Sequence, residues 1–224
     1  MNSLTLEVFG SSLPLAVGIA LSPFPIIAIV LLLMSPRGAA SGATFLVARL
    51  IGLSLVLGVV VVASDAIYAL TSNIGLPAII KLVIGLGVLV LGVTKWRPRA
   101  EGEEPALPKW MSAIDKFTPG QSFGLGFVLS VANPKELAFL LAAGVSIGGS
   151  GLGPRHELLV GGVFVLIGCL SVLVPVIATL VAPTRMRPVL DAMNVWLVKN
   201  NSTVMGVLLV VIGAVVVGGA IGEL

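Results

Sequence analysis

"LSVANPKELAFLLAAG", residues 129–144, lies within one of the most apolar stretches of the chain. Its middle is out of character, because Asn133, Pro134, Lys135 and Glu136 put a helix breaker and two opposite charges at the centre of a membrane-length run. A segment in lipid must satisfy its own backbone hydrogen bonds. An interruption at that depth is tolerable only where it faces protein or a wet cavity.

The surrounding composition supports the membrane reading. The chain has 224 residues, 57% of them hydrophobic and only 10% charged, whereas soluble domains carry about a quarter charged residues. Six runs near the length of a spanning helix follow one another: 12–34, 43–63, 76–94, 121–147, 158–181 and 203–221. They are continuous rather than alternating, which favours helices over barrel strands. The N-terminus "MNSLTLEVFG" has no basic n-region, so no cleavable signal peptide is expected.

Basic residues mark the sides. The loops after the first, third and fifth spans hold Arg37, Lys95, Arg97, Arg99, Lys109, Lys116, Arg185, Arg187 and Lys199, against Arg155 and Lys81 on the other side. The positive-inside rule then puts the first set in the cytoplasm and both termini outside a cytoplasmic membrane. Two loop stretches carry apolar stripes at helical spacing: Leu107, Trp110, Met111, Ile114 and Phe117, and then Val189, Leu190, Met193, Trp196 and Leu197. Each fits a helix lying on the inner leaflet or one packed on the protein.

The interruption has a counterpart. "GIALSPFP" begins at Gly18 and "GFVLSVANPK" at Gly126, both reading Gly-x-x-Leu-Ser with proline close behind. "SPRG" at 35–38 is echoed by "GPRH" at 153–156. The divisions are 1–96, a cytoplasmic linker 97–119, and 120–224. Three spans per half is an odd number, so the second half must enter inverted. The expected fold is an all-α integral membrane protein of six transmembrane helices, an inverted 3+3 repeat with helices one and four broken.

Cap chemistry explains how they break. Ser22 before Pro23, and Asn133 before Pro134, pair an N-cap residue with proline at the first helical position. Glu136 falls where a capping-box carboxylate would. Each restarted helix offers unpaired N–H groups and a positive dipole end, together an anion site. Arg49, within "FLVARLIGL", and Lys135 are the basic residues well inside spans. Facing lipid, each would cost about 2.5–3.5 kcal/mol, so both are expected to face the bundle interior. Neighbouring positions on a helix point about 100° apart, which disfavours an intimate Lys135–Glu136 pair. The candidate substrate-binding set is Ser22, Pro23, Pro25, Arg49, Asn133, Pro134, Lys135 and Glu136.

Other chemistries find no support. One His and one Cys give no metal-ligand cluster and no disulfide. No nucleophile–base pair or phosphate-binding glycine loop stands out. The expectation is a protein without cofactor, metal or catalytic residues, not an enzyme and not a nucleic-acid binder. Membrane lipids and a lipid or lipid-linked substrate are the expected partners, and a homo-oligomer is compatible. Gly144-x-x-x-Gly148 and Gly218-x-x-x-Gly222 fit close helix packing.

At "SPFPIIAIVLLLMSPRG" and "SVANPKELAF" the sequence resembles the lysine-exporter superfamily, and more closely the GAP/Sap (glycopeptidolipid- or sulfolipid-addressing protein) family. The likeness runs through nearly the whole chain. It implies a six-helix inverted-repeat transporter, some relatives being tied to outward movement of envelope lipids. Its motifs carry over to Ser22, Pro23, Pro25, Pro36, Arg37, Asn133, Pro134 and Lys135. Amino-acid exporters usually have Pro-Gly-Pro where this chain has Pro23-Phe24-Pro25, which argues against an amino-acid substrate. Thiol-transfer relatives need paired cysteines, which a chain with Cys169 alone lacks. The leading expectation is a transporter exporting or flipping an anionic lipid or lipid-linked envelope precursor across the cytoplasmic membrane. The alternative is a proton-coupled exporter of a small amino acid or other cationic metabolite, with Glu136 as binder and relay.

Overall fold

A computed structural model gives the fold and describes residues 3–71, 82–83, 85–87, 89–90, 93–94, 114, 116–193, 195–196, 210, 213–214 and 217–218, those at 65–71 by backbone alone. Among them every regular element is helical. The helices are α1 (Ser3–Ala20), α2 (Pro23–Met34), α3 (Gly38–Thr71), α4 (Pro119–Val131), α5 (Pro134–Gly148), α6 (Pro154–Gly168) and α7 (Leu170–Val181). A further helix, α8, covers residues 183–193.

Proline punctuates this series. Pro23, Pro119, Pro134 and Pro154 each stand in the first turn of their helix, where a missing N–H costs nothing. Thr118 and Gln121 add a reciprocal capping box at the start of α4. The α5–α6 turn needs Gly151 and Gly153, whose φ angles are +70° and +79°, a region side chains with Cβ avoid.

Ser3–Ala20 and Gly38–Ser64 are each long and apolar enough to cross a membrane. The pairs α4–α5 and α6–α7 qualify when taken together, bent by 58° and 62° at their breaks. Helix α3 shows the two-faced pattern of a lipid-facing span: Val47, Ile51, Leu55, Val59 and Val62 are exposed, while Phe45, Arg49, Leu53 and Leu57 are buried. Positions four apart share a helix face, so Arg49 stands on the inward stripe. α3 packs against α4 and α5, α1 against α5 and α6, and α2 against α3 and α7.

The interior divides into two apolar clusters. One gathers Leu15 and Ile19 of α1, Leu53 and Leu57 of α3, Phe139 and Leu140 of α5, and Phe164 of α6. The other gathers Ile26 to Leu33 of α2, Phe45 of α3, Val172 and Val176 of α7, Ile114 and Leu190, with Leu125 and Leu129 of α4 packed against it. Each crossing segment passes from one cluster to the other near its break or its polar residue. Ile19 and Ile26 flank Ser22, Phe45 and Leu53 flank Arg49, and Leu129 and Phe139 flank Asn133.

Glycine sets how closely the halves approach. A Cβ on Gly126 would lie 2.6 Å from the Phe45 carbonyl oxygen, and one on Gly52 2.7 Å from Ser130 Cβ. Gly144 and Gly148 sit as tightly against Val60 and Val61, as their spacing suggested. The seam joins α3 of the first half to α4–α5 of the second.

Four expectations need correction. The first helix starts at Ser3, nine residues before the expected 12, because Val8 extends the buried stripe of Ser12, Leu15 and Ile19. The stretch 158–181 is not one continuous helix: it begins at Pro154 and breaks between Gly168 and Leu170. Gly168 lies close against Ile19 there, a Cβ falling 3.2 Å from Ile19 Cγ2. Pro175 further weakens the hydrogen-bond ladder of α7. The third and fourth corrections concern Glu136 and the Ser22 cap and follow with the site.

The expected spans 76–94 and 203–221 lie mostly outside the described residues, as does most of the 97–119 linker. Their described positions between 82 and 94 and between 210 and 218 are helical. Gly213 packs directly on the Leu89 backbone, a Cβ there falling 2.6 Å from Leu89 N. Gly218 has open space around it and Gly222 is outside the described set. Of the amphipathic stripes, Leu190 and Ile114 are buried, and Met193 and Phe117 pack on the α2–α7 cluster. Val189 and Trp196 remain exposed.

Candidate functional site

The chain breaks between Ala20 and Pro23 and between Val131 and Pro134, at the two cap-plus-proline motifs. Ser22 and Asn133 both leave helical geometry, with φ/ψ of −67°/117° and −79°/110°, but the Ser22 side chain, contrary to expectation, makes no cap hydrogen bond. The Asn133 side chain caps α5, its Oδ1 accepting from Lys135 N at 3.2 Å. Its Nδ2 donates to Glu136 Oε1 at 3.3 Å.

The other Glu136 oxygen reaches across the halves. Arg49 Nη2 donates to Glu136 Oε2 at 3.0 Å, in an ion pair with side chains 1% and 0% exposed. Arg49 Nη1 donates to Ser130 Oγ at 3.4 Å, and that hydroxyl donates to the Gly126 carbonyl at 2.8 Å. Gly126 and Ser130 belong to the repeated Gly-x-x-Leu-Ser motif. Glu136 is therefore no capping-box residue: its carboxylate is taken by Arg49 and the Asn133 amide. A charged partner in the interior outweighs one more backbone N–H, because charge-assisted bonds are roughly twice as strong.

Several donors around this pair have no protein partner. They are Arg49 Nε, Lys135 Nζ and Ser22 Oγ. Lys135 is 5% exposed, and its ammonium stands 5.6 Å from the Phe139 ring centroid, a cation–π contact without a hydrogen bond. Ser22 is 0% exposed, and its hydroxyl stands beside the Glu136 carboxylate without reaching hydrogen-bond geometry. Buried polar groups are nearly always satisfied in native proteins. Three orphaned donors around one ion pair make this the most under-satisfied polar cluster among the described residues.

The structure thus brings together Ser22, Arg49, Asn133, Lys135 and Glu136. Arg49 is fully buried in an ion pair with Glu136 and is not exposed on the protein surface. Pro23 and Pro25 are buried at the start of α2 and Pro134 opens α5, but these three carry no polar side chain. Because prolines fill two of the first three positions of α2, Phe24 alone among them has an N–H to offer. The side chains, more than the α2 terminus, supply the positive character. Pro36 and Arg37 sit exposed in the α2–α3 turn, apart from the buried cluster.

Sequence reasoning missed two features: the Arg49–Glu136 pairing and the nearness of Cys169. Cys169 is buried at the α6–α7 break and lies within electrostatic reach of Arg49 and Glu136. No local signal marked it, since the break there has no cap-plus-proline motif.

The model of one protein family, described as Sap, sulfolipid-1-addressing protein, matches residues 13–222. The chain belongs to the Sap family. Together with its apolar helices this makes it a membrane protein, and every residue of the buried cluster lies inside the Sap match. No curated protein and no solved structure is detectably similar to it. The chemistry of this Sap protein's site must come from its own residues.

Proposed function

We propose that this Sap-family protein is a transporter that exports or flips an anionic lipid, or a lipid-linked envelope precursor, across the cytoplasmic membrane. The observation that carries the reading is the set of orphaned buried donors, Arg49 Nε, Lys135 Nζ and Ser22 Oγ, at the broken helices. A headgroup oxyanion would satisfy groups that the protein leaves unpaired. An unmade buried hydrogen bond costs about 1–3 kcal/mol, more when charged. The family's printed name, which refers to a sulfolipid, agrees with an anionic headgroup.

The packing pattern supports an inverted repeat as the transport frame. Exchanging the halves maps α1 onto α4, α2 onto α5, and α3 onto α6–α7. The α3–α4 packing then maps onto α6–α1, and α3–α5 onto α7–α2, all four of which occur. In such transporters the site lies near the bilayer midplane on broken helices. The junction between the two apolar clusters fits that depth. The distribution of basic residues supports extracytoplasmic termini.

The alternative, export of a cationic amino acid through Glu136, has less support. Both Glu136 oxygens already accept hydrogen bonds, and two cations flank them. Thermal stabilisation of the purified protein, titrated with anionic lipids or with lysine and arginine, separates the readings. Anionic lipids should stabilise the wild type, and Lys135→Met should remove the effect. Stabilisation by lysine or arginine, dependent on Glu136 and without an anionic-lipid response, would replace this reading with the amino-acid exporter.

A further inference from the structure

We infer that Glu136 sets the charge of the headgroup the site accepts, matching it to a single negative charge. The inference rests on the anionic-substrate reading above and adds to it a specificity-determining residue. Among the described residues, the buried charged side chains are Arg49, Lys135 and Glu136. With all three ionised the cluster carries one net positive charge. Arg37 and Lys116 are exposed and belong to solvent, so they do not alter that balance.

A buried assembly is most stable when its charges cancel, since an uncompensated charge keeps its full desolvation penalty. One monoanionic headgroup brings the cluster to neutrality. A dianion leaves one negative charge in excess between two apolar clusters. A zwitterionic headgroup leaves the positive charge uncancelled.

Glu136 is well suited to fix this balance because it cannot leave easily. One oxygen accepts from Arg49 Nη2 at 3.0 Å and the other from Asn133 Nδ2 at 3.3 Å. It also shapes what remains available. With one N–H of Nη2 given to Glu136 and one of Nη1 to Ser130, the Arg49 nitrogen left without any partner is Nε. That donor, Lys135 Nζ and Ser22 Oγ are left for the headgroup. Glu136 then acts through Arg49 and through the net charge, as a positioning residue without touching the substrate.

Two lipids differing by one methyl group test this. Phosphatidylmethanol is a phosphodiester with one negative charge, and phosphatidic acid at pH 7 is a monoester carrying about 1.5 to 2. The full chain is placed in nanodiscs of zwitterionic lipid doped with either one, with identical acyl chains, and apparent affinity is read from thermal unfolding. The wild type should prefer phosphatidylmethanol by at least tenfold. Glu136→Gln raises the net charge by one and should shift that ratio at least tenfold toward phosphatidic acid. Glu136→Asp keeps the charge and should keep the wild-type order. Equal binding of both lipids by the wild type, or an unchanged ratio in Glu136→Gln, would overturn the inference. Should Glu136→Gln not fold, the wild-type ratio and the Glu136→Asp order still decide it. A wild type that responds to neither lipid would instead overturn the anionic-substrate reading beneath it.

Discussion

Arg49 of the first half and Glu136 of the second meet at 3.0 Å, both side chains out of contact with the surroundings. Removing one member of such a pair leaves an uncompensated buried charge, a cost of about 3–5 kcal/mol. Arg49→Met should therefore destabilise the protein by about that amount. The double variant Arg49→Met/Glu136→Met should lose clearly less than the sum of the single changes, since the second substitution removes the stranded charge. Unfolding of the four proteins in detergent measures the coupling. Strict additivity would mean that the pair is not formed.

Lys135 has the opposite signature. Its ammonium makes no hydrogen bond to the protein, so Lys135→Met gives up little structure and should unfold within a few degrees of the wild type. Transport should fall at least tenfold, the loss expected from about 1.4 kcal/mol or more of lost binding. Lys135→Arg keeps the charge but replaces a compact ammonium with a planar fork, and should recover activity only in part. Full activity in Lys135→Met would remove this residue from the site.

The glycine seam gives a paired test of packing. A methyl group at Gly126 would meet the Phe45 carbonyl at 2.6 Å, while one at Gly124 meets nothing within 4 Å. Gly126→Ala should cost about 1–3 kcal/mol through forced separation of α3 and α4. Gly124→Ala should be neutral or stabilising by up to about 1 kcal/mol, because alanine is the better helix former. Equal effects at the two positions would contradict the close approach.

Topology follows from the basic residues. With Cys169 replaced by serine, a cysteine introduced at Gly102 should be unreactive toward an impermeant thiol reagent in intact cells and reactive after permeabilisation. A cysteine near the N-terminus should show the reverse. Labelling of position 102 from outside would invert the proposed orientation.

The breaks at Ser22 and Asn133 were legible because a proline opens the restarted helix in a long apolar run at both, although of the two residues before it only Asn133 caps through its side chain. The inward orientation of Arg49 was legible for energetic reasons, since a guanidinium in lipid is costly wherever the helix lies. What Glu136 binds was not legible. Its spacing from Asn133 imitates a capping box, and the partner that overrides it lies 87 residues away in the chain. The α6–α7 break was equally hidden, because no cap-plus-proline motif marks it, and the close approach of Gly168 there is to Ile19 of another helix. Cys169 stands at that bend, within electrostatic reach of Arg49 and Glu136. Local chemistry wrote the breaks into the sequence, and tertiary packing decided what gathers around them.

In the proposed function, Arg49, Lys135 and Ser22 hold the anionic headgroup of a lipid between the two broken helices. The most direct test is the mass of what co-purifies with the protein from native membranes, compared between the wild type and Lys135→Met. An anionic lipid, near one per chain in the wild type and depleted in Lys135→Met, is the predicted result. A cationic amino acid in its place, or the same lipids at the same level in both proteins, would contradict it.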